Sequence, residues 1–286
     1  MSKQKPITYM VLVLDQSGSM SSIRDTAVRF YNESVQQTKL SAKDQDIRVG
    51  VITFSGNVFE HLWNVPASDL QESTTEGYVC DGGTALNDAL GYTILKLKET
   101  ASQDDPNVAF LVQVVTDGEE NQSTRFKKET VFNDGRWVEK NPLKKLIEEV
   151  QSTGKWTFTF MGCSGDYLQK LAQDTAVPLA NMAAWNPQNT ASPTLNRAGQ
   201  AHYFTARSSS PSGRMARSFY DYDGVQKTAE GLADGSWLDE ETGGSLVAAA
   251  SAAAGIDSTA LEAVKEVCQE NVFGHAKPAV WKTEDK

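Results

Sequence analysis

The sequence predicts an α/β fold: a doubly wound, mostly parallel central sheet flanked by helices, followed by a mainly helical C-terminal extension. Residues 7–14 form a continuous apolar run rich in β-branched residues, as expected of a strand buried on both faces, residues 108–115 have the signature of a central strand, and residues 47–54 also predict a strand. Stretches with helical spacing of apolar residues lie between them, at 22–40 and 85–97. This alternation is typical of a parallel sheet covered by helices on both sides.

The remaining elements continue the pattern. Residues 57–63 are expected to pair with the preceding strand as a hairpin, and residues 143–150 to form a helix. A strand at 156–161, a helix at 167–176 and a short last strand at 179–185 complete the predicted domain. Ligands of such sheets bind beyond the carboxyl ends of the strands, where the strand order reverses. The loops after Leu14, before Ala85 and after Val115 are therefore the expected site.

Two segments depart from the alternation. Residues 121–141 separate a strand from its helix by about twenty residues, which is longer than usual. They contain Asn133-Asp134-Gly135 between two short apolar stretches, which predicts a hairpin. The second segment is the C-terminal extension at 221–286, which follows a predicted domain at 1–220. The extension is rich in Ala, Gly and acidic residues, and a helix is expected in it from Asp257 or Ser258 to Gln269.

The role of the extension stays open between two possibilities. It covers the edge of the sheet or mediates assembly, or its acidic residues Asp239, Glu240 and Glu241 occupy a metal site in the same or a neighbouring subunit.

Composition narrows the classes of function. The 286 residues carry a formal net charge of −10, which argues against duplex nucleic acid and anionic membranes as partners, since both need a basic face. The three cysteines are scattered and form no CxxC pair, and no targeting or membrane-spanning segment is visible. We expect a cytoplasmic protein.

Oxygen-bearing side chains gather in the three predicted loops. The first loop, which directly follows a buried strand, supplies Asp15, Ser17 and Ser19. The second, Asp81-Gly82-Gly83-Thr84, enters a helix and supplies Thr84, and the third begins with Asp117 after a strand. Hydroxyls and carboxylates without His or Cys suit Mg²⁺ or Mn²⁺ better than Zn²⁺ or Cu²⁺. Hydroxyl ligands neutralise little of the charge, so the ion would seek a further Asp or Glu from a partner.

These motifs resemble the metal-ion-dependent adhesion site (MIDAS) of von Willebrand factor A domains. The DxSGS, GGT and TDG motifs match in order and spacing, and the resemblance runs from about Lys5 to Trp185. The resemblance extends to the small intracellular A-domain proteins of bacteria and phages. The resemblance implies a Rossmann-like fold and a bound Mg²⁺, or Mn²⁺ or Ca²⁺ in its place. It also implies metal bridging to an acidic partner residue and no catalysis.

The same residues allow other interpretations. The Ser, Thr and Asp residues of the loops are also favoured helix caps. Glu119 and Glu120 fit solvated acids at a helix start better than metal ligands. The basic and aromatic character of residues 121–141 suggests a rim that selects an acidic partner, or equally a hairpin packed on its own domain. The candidate partner-binding residues are Glu119, Arg125, Phe126, Arg136 and Trp137.

The function most consistent with the sequence is a non-catalytic, metal-dependent protein-binding module. Its partner would be a protein presenting Asp or Glu, for example an ATPase or an assembly component. One alternative is a structural protein whose metal site binds its own subunits. A metal-dependent phosphohydrolase is less favoured, because Ser17 stands where an aspartyl-phosphate enzyme needs a second Asp and no His adjoins the cluster.

Overall fold

The structure, a computed structural model, describes residues 5–162, 165–184, 191–210, 212, 215–220, 273 and 277–281. A seven-stranded sheet forms its centre, with the strand order β8-β7-β4-β1-β2-β3-β9. Strands β1, β2, β4, β7 and β8 run parallel, while β3 and β9 are antiparallel to their neighbours. The strands are β1 (Ile7–Asp15), β2 (Asp46–Phe54), β3 (Val58–Pro66), β4 (Val108–Val115), β7 (Trp156–Gly162), β8 (Met182–Ala184) and β9 (Lys277–Pro278).

Helices cover both faces of the sheet. On one face α2 (Leu86–Thr100), α3 (Pro142–Ser152) and α4 (Gly165–Thr175) pack against one apolar cluster. On the other face α1 (Arg24–Ser41) and α5 (Ala191–Ser209) pack against a second cluster. The predicted fold class, with its mostly parallel sheet between helical layers, is confirmed.

The order of the strands fixes where the loops meet. From β1 the chain moves to β2 in one direction, and from β4 it moves to β7 in the other. The strand order therefore reverses between the neighbours β1 and β4, and a crevice forms beyond their carboxyl ends. The loops after β1 and β4 lie at this switch point, as the sequence predicts.

The insertion between β4 and α3 contains the predicted hairpin, with β5 (Glu129–Asn133) paired to β6 (Arg136–Lys140). Its turn uses Asp134 at φ 49° and Gly135 at φ 79°, the left-handed conformations that a tight hairpin turn requires.

Helix α5 has no counterpart among the predicted elements. Its sheet-facing side chains include the buried Asn196, Gln200 and Arg207, which hide the apolar periodicity of a helix. Asn196 accepts a hydrogen bond of 2.8 Å from Gln113, in the middle of β4, and donates one of 3.0 Å to Ser34 on α1. Polar contacts therefore attach this helix to the sheet.

Only a small part of the extension is described. Phe273 is buried, and residues 277–281 return to the edge of the sheet, where β9 pairs with β3. The helix predicted to end at Gln269 lies outside the described residues, as do Asp239, Glu240 and Glu241. In the part of the chain that is described, no helix combines the length and apolar character needed to span a bilayer.

Candidate metal centre

Asp15 is the buried anchor of the candidate site. Strand β1 ends at this residue, whose side chain is fully buried. Its Oδ1 accepts a hydrogen bond from the backbone N–H of Ser17 at 2.7 Å, and its Oδ2 accepts one from the Thr116 hydroxyl at 2.6 Å. These bonds fix both carboxylate oxygens between the ends of β1 and β4.

The hydroxyls of the first loop connect Asp15 to the third loop. The Oγ atoms of Ser17 and Ser19 lie 3.1 Å apart, and Ser19 Oγ donates to Asp117 Oδ1 at 2.7 Å. Ser17 is buried, whereas Ser19 is exposed and Asp117 is half-buried. The cluster thus runs from the interior to the surface, where a partner could approach.

Thr84 completes the group from the second loop. A Cβ atom placed on Gly118 would lie 3.1 Å from Thr84 Oγ1, 3.5 Å from Ser19 Oγ and 3.9 Å from Asp15 Oδ2. Oxygens of all three loops therefore surround one small region. The structure brings together all five residues predicted as metal ligands, namely Asp15, Ser17, Ser19, Thr84 and Asp117.

Backbone contacts hold the three loops in place. The N–H of Gly18 donates to the carbonyl of Gly82 at 3.1 Å, which joins the first loop to the second. Gly82 has φ 75°, a conformation that favours glycine. The Thr84 N–H donates to Asn121 Oδ1 at 2.9 Å, and the Asn121 N–H donates back to the Thr84 carbonyl at 3.0 Å. The second and third loops are therefore joined reciprocally.

The electrostatics of the cluster favour a cation. Burial raises the pKa of Asp15 to about 6, against the hydrogen bonds from Thr116 and Ser17, which lower it. Burial also raises the pKa of Asp117. No ion pair among the described residues involves either carboxylate. Two desolvated carboxylates beside three hydroxyls fit a hard cation such as Mg²⁺, because that ion prefers oxygen ligands.

A zinc-type cluster is not seen in the described part of the chain. There, no group of three or more His, Cys, Asp or Glu side chains is placed to hold an ion. Cys80 lies in the loop before α2, and burial raises the pKa of its thiol, which disfavours the reactive thiolate.

Two carboxylates organise the third loop in a way that the sequence did not predict. Glu120 was expected to be a solvated acid at a helix start, but it is half-buried in the loop between β4 and β5, where no helix begins. Glu120 accepts hydrogen bonds of 2.7 Å from the N–H groups of Asn87, in the first turn of α2, and of Ser123. The carboxylate of the buried Asp88 accepts from the N–H groups of Arg125 at 3.0 Å and Phe126 at 2.8 Å. Together they fix residues 120–126 to the start of α2. Each carboxylate also accepts from a hydroxyl, Glu120 from Ser123 Oγ at 2.7 Å and Asp88 from Thr124 Oγ1 at 3.3 Å. Because these donors are backbone N–H groups and hydroxyls rather than charged side chains, the sequence contains no pairing signal for them.

The predicted partner-binding residues divide into two groups. On the hairpin, Arg136 is exposed and Trp137 is 71% exposed, and the Trp137 ring meets that of Phe132 edge-on at 5.3 Å. Nearer to α2, the half-buried Phe126 packs against Gly91, where a Cβ would lie 2.1 Å from its ring, and the exposed Arg125 stacks on Trp281 at 4.5 Å.

Glu119 lies two residues beyond Asp117. It is exposed and forms an ion pair of 2.8 Å with Lys170 on α4. An exposed pair of this kind contributes little to stability, so a partner could replace Lys170 at small cost. Glu119 is therefore an accessible carboxylate near Asp117 in the sequence.

Comparison with solved structures gives distant similarities. The PilB minor pilin from Streptococcus sanguinis is 14% identical with a TM-score of 0.43, over 73% of this chain and 62% of the pilin. A von Willebrand factor type A protein from Catenulispora acidiphila is 16% identical with a TM-score of 0.41, over 72% and 43% of the two chains. Proximal thread matrix protein 1 from the mussel byssus, with a zinc-occupied MIDAS motif, is 13% identical with a TM-score of 0.39, over 62% and 41%.

In each of these pairs the match spans less than two thirds of the other protein's chain. A comparison with curated protein sequences finds no match.

The family comparison is decisive for the domain itself. The family model of the von Willebrand factor type A domain matches residues 10–189, more than half of the chain, and this range includes all three loops of the cluster. The chain therefore belongs to the von Willebrand factor type A domain family.

Proposed function

We propose that the protein is a non-catalytic, metal-dependent protein-binding module. The metal is Mg²⁺, or Mn²⁺ or Ca²⁺ in its place, held by Asp15, Ser17, Ser19, Thr84 and Asp117. The observation that carries the proposal is the convergence of oxygens from three loops around one region beside Gly118, at the switch point of the sheet.

Each residue has a distinct task in this proposal. The hydroxyls of Ser17, Ser19 and Thr84 offer lone pairs directly to the ion. Asp15 supplies buried negative charge and orients the first loop through the Ser17 N–H, and Asp117 holds the Ser19 hydroxyl. When bound, the ion supplies an electrophilic position for an Asp or Glu of a protein partner. The exposure of Ser19 leaves the surface side of the cluster open to that carboxylate.

A rim beside the cluster is proposed to select the partner. Its members are Glu119, Arg125, Phe126, Arg136 and Trp137. The exposed Arg136 and Trp137 are of the types enriched in protein interfaces, and a basic rim favours an acidic partner through electrostatic complementarity. We also propose a cytoplasmic setting, because the three cysteines show no disulfide pattern.

Thermal unfolding with Mg²⁺, Mn²⁺, Ca²⁺ or EDTA tests the metal site. A ligand that binds only the folded state stabilises it, by about 2.7 kcal/mol at a hundredfold excess over Kd. We expect the wild-type Tm to rise with metal and that of the double variant Asp15→Ala/Ser19→Ala to be insensitive to it.

A matched control keeps this test specific. Ser21→Ala/Asp25→Ala removes one serine and one aspartate from the same segment, but both residues are exposed and outside the cluster. This control must respond to metal as the wild type does. A wild-type Tm that is unchanged across millimolar concentrations of all three metals would overturn the metal site. Hydrolysis of phosphate esters by the wild type, lost in the double variant, would favour the enzyme alternative.

A further inference from the structure

The C-terminal strap, defined here as Phe273 and residues 277–281, contacts both faces of the sheet at its β3 edge. Phe273 belongs to the apolar cluster on the α1 face, whereas Trp281 packs against the cluster on the α2 face. The strap thus reaches both sides of the sheet that ends in the metal loops.

Phe273 is connected to the first metal loop through the side chain of Tyr78. Its ring lies 5.2 Å from that of Tyr78, edge-on, and also contacts Tyr31 and His61. Tyr78 is fully buried, and its hydroxyl donates a hydrogen bond to the backbone carbonyl of Asp15.

Trp281 is connected to the other two loops through its contacts with residues of the segment that follows Asp117. Its ring lies 6.3 Å from that of Phe126 and 4.5 Å from the guanidinium of Arg125. The backbone of both residues is fixed by the carboxylate of Asp88. Asn121, earlier in the same segment, accepts the Thr84 N–H.

The backbone attachment of the strap is short. Among the residues that the structure describes, Phe59 pairs with Pro278 and Glu60 with Lys277 between β3 and β9, and the Ala279 N–H adds one bond to the Val58 carbonyl at 2.9 Å. The aromatic contacts of Phe273 and Trp281 add to this short backbone attachment and bury apolar surface on both faces of the sheet.

We propose that Phe273 and Trp281 are positioning residues for the metal site, with Phe273 holding the loop at Asp15 and Trp281 holding residues 119–126. This inference rests on the proposed metal function. Because coupling between sites is reciprocal, a strap that favours the metal-binding arrangement must itself be held more firmly when metal binds.

Hydrogen exchange of the metal-free full-length protein tests the positioning directly. We expect Phe273→Ala to speed exchange of the amides of residues 16–20, and Trp281→Ala to speed exchange of residues 119–126. Val280→Ala is the matched control, because Val280 lies on the same strap but is 82% exposed. Phe273→Leu and Trp281→Phe, which keep an apolar side chain, should restore most of the protection.

Calorimetric titration with MgCl₂ measures the consequence for the metal. We expect the Kd to rise roughly fivefold or more in each alanine variant, the lower end of ordinary coupling between sites, and to stay at the wild-type value in Val280→Ala. In the wild type, Mg²⁺ should slow exchange at residues 277–281.

The two measurements separate this inference from the proposed function. A lowered Tm with unchanged loop exchange and unchanged Kd in both alanine variants would make the strap purely structural and overturn the proposal. A wild type that binds no metal refutes the metal function, and exchange in the metal-free variants still decides whether the strap positions the loops.

Discussion

At the scale of single residues, Asp15 combines the largest electrostatic cost of the site with its central role. Its carboxylate is fully buried, and burial raises its pKa from 3.8 to about 6. The metal-free folded state therefore binds a proton at Asp15 more tightly than the unfolded state does. A bound cation would offset this cost at neutral pH, because it restores favourable charge interactions to the carboxylate.

This shift predicts a pH dependence of stability. Since the folded pKa is raised, metal-free wild type gains stability as pH falls through 6 towards 4, by up to roughly 3 kcal/mol at about 1.4 kcal/mol per pKa unit. Asp15→Asn lacks this contribution. We expect the free energy of unfolding of wild type relative to Asp15→Asn, from urea titrations in EDTA, to be larger at pH 4.5 than at pH 7.5.

The difference between the two proteins removes the titration of all other groups. A difference that does not change between pH 4.5 and 7.5 would show that Asp15 is solvated in the folded state. If the prediction holds, addition of Mg²⁺ at pH 7.5 should increase the free energy of unfolding of the wild type and not that of Asp15→Asn.

The sequence alone predicts the positions of some side chains of the site and not of others. Asp15, Ser17, Ser19, Thr84 and Asp117 follow strand ends or precede a helix, and the rule for parallel sheets places them together. Asp88 sits inside a helix, where its spacing suggests only a polar surface position. Its role depends on a loop that begins more than thirty residues later, which no local pattern encodes.

At the scale of elements, the hydrophobic pattern predicted every parallel strand of the sheet, including β7, which is buried throughout although its sequence alternates Trp and Phe with Thr. The pattern was clearest in β1 and β4, whose apolar runs are nearly continuous, as expected for strands buried on both faces. The same criterion could not find α5. The side chains by which it faces the sheet are partly polar, and Arg207, 3% exposed, donates at 2.7 Å to the Asn107 carbonyl. Strand β9 could not be predicted from the sequence either, because two paired residues are too few to show a periodicity.

The β5–β6 hairpin gives a prediction for partner binding. Phe132 and Trp137 are 63% and 71% exposed and contact each other across the hairpin, so Phe132→Ser/Trp137→Ser should lower stability by only about 1 kcal/mol, the usual contribution of a cross-strand aromatic pair. If this pair contacts the partner, its loss should weaken EDTA-sensitive capture of proteins from a lysate of the source organism at least tenfold, as for interface hot spots.

A control on the same hairpin distinguishes a contact from a general effect. Glu129 and Lys140 face each other across the two strands and are both exposed. Because their opposite charges cancel, Glu129→Ser/Lys140→Ser removes two side chains from the hairpin and leaves its net charge unchanged. Equal capture by wild type and by the aromatic variant would leave the hairpin as surface structure only.

At the scale of the whole molecule, the negative charge is unevenly distributed. Residues 221–272 contain eleven Asp and Glu against two Lys, so they account for nearly all of the net charge of −10. The rest of the chain is close to neutral, and its rim is basic and aromatic. Net composition therefore understates how well the domain could receive an acidic partner, since long-range attraction depends on the local field of the binding face.

This distribution leads to a prediction about assembly. Copies of the chain repel one another through their acidic segments, most strongly at low ionic strength where screening is weak. If the metal site serves a separate partner, the molar mass from light scattering at low salt should be that of one 31.2 kDa chain, with Mg²⁺ and with EDTA alike. A mass that rises with Mg²⁺ in the wild type and not in Asp15→Ala/Ser19→Ala would mean that an acidic residue of one copy fills the site of another. The protein would then be an assembly component, and its own C-terminal extension would be the first place to search for that residue.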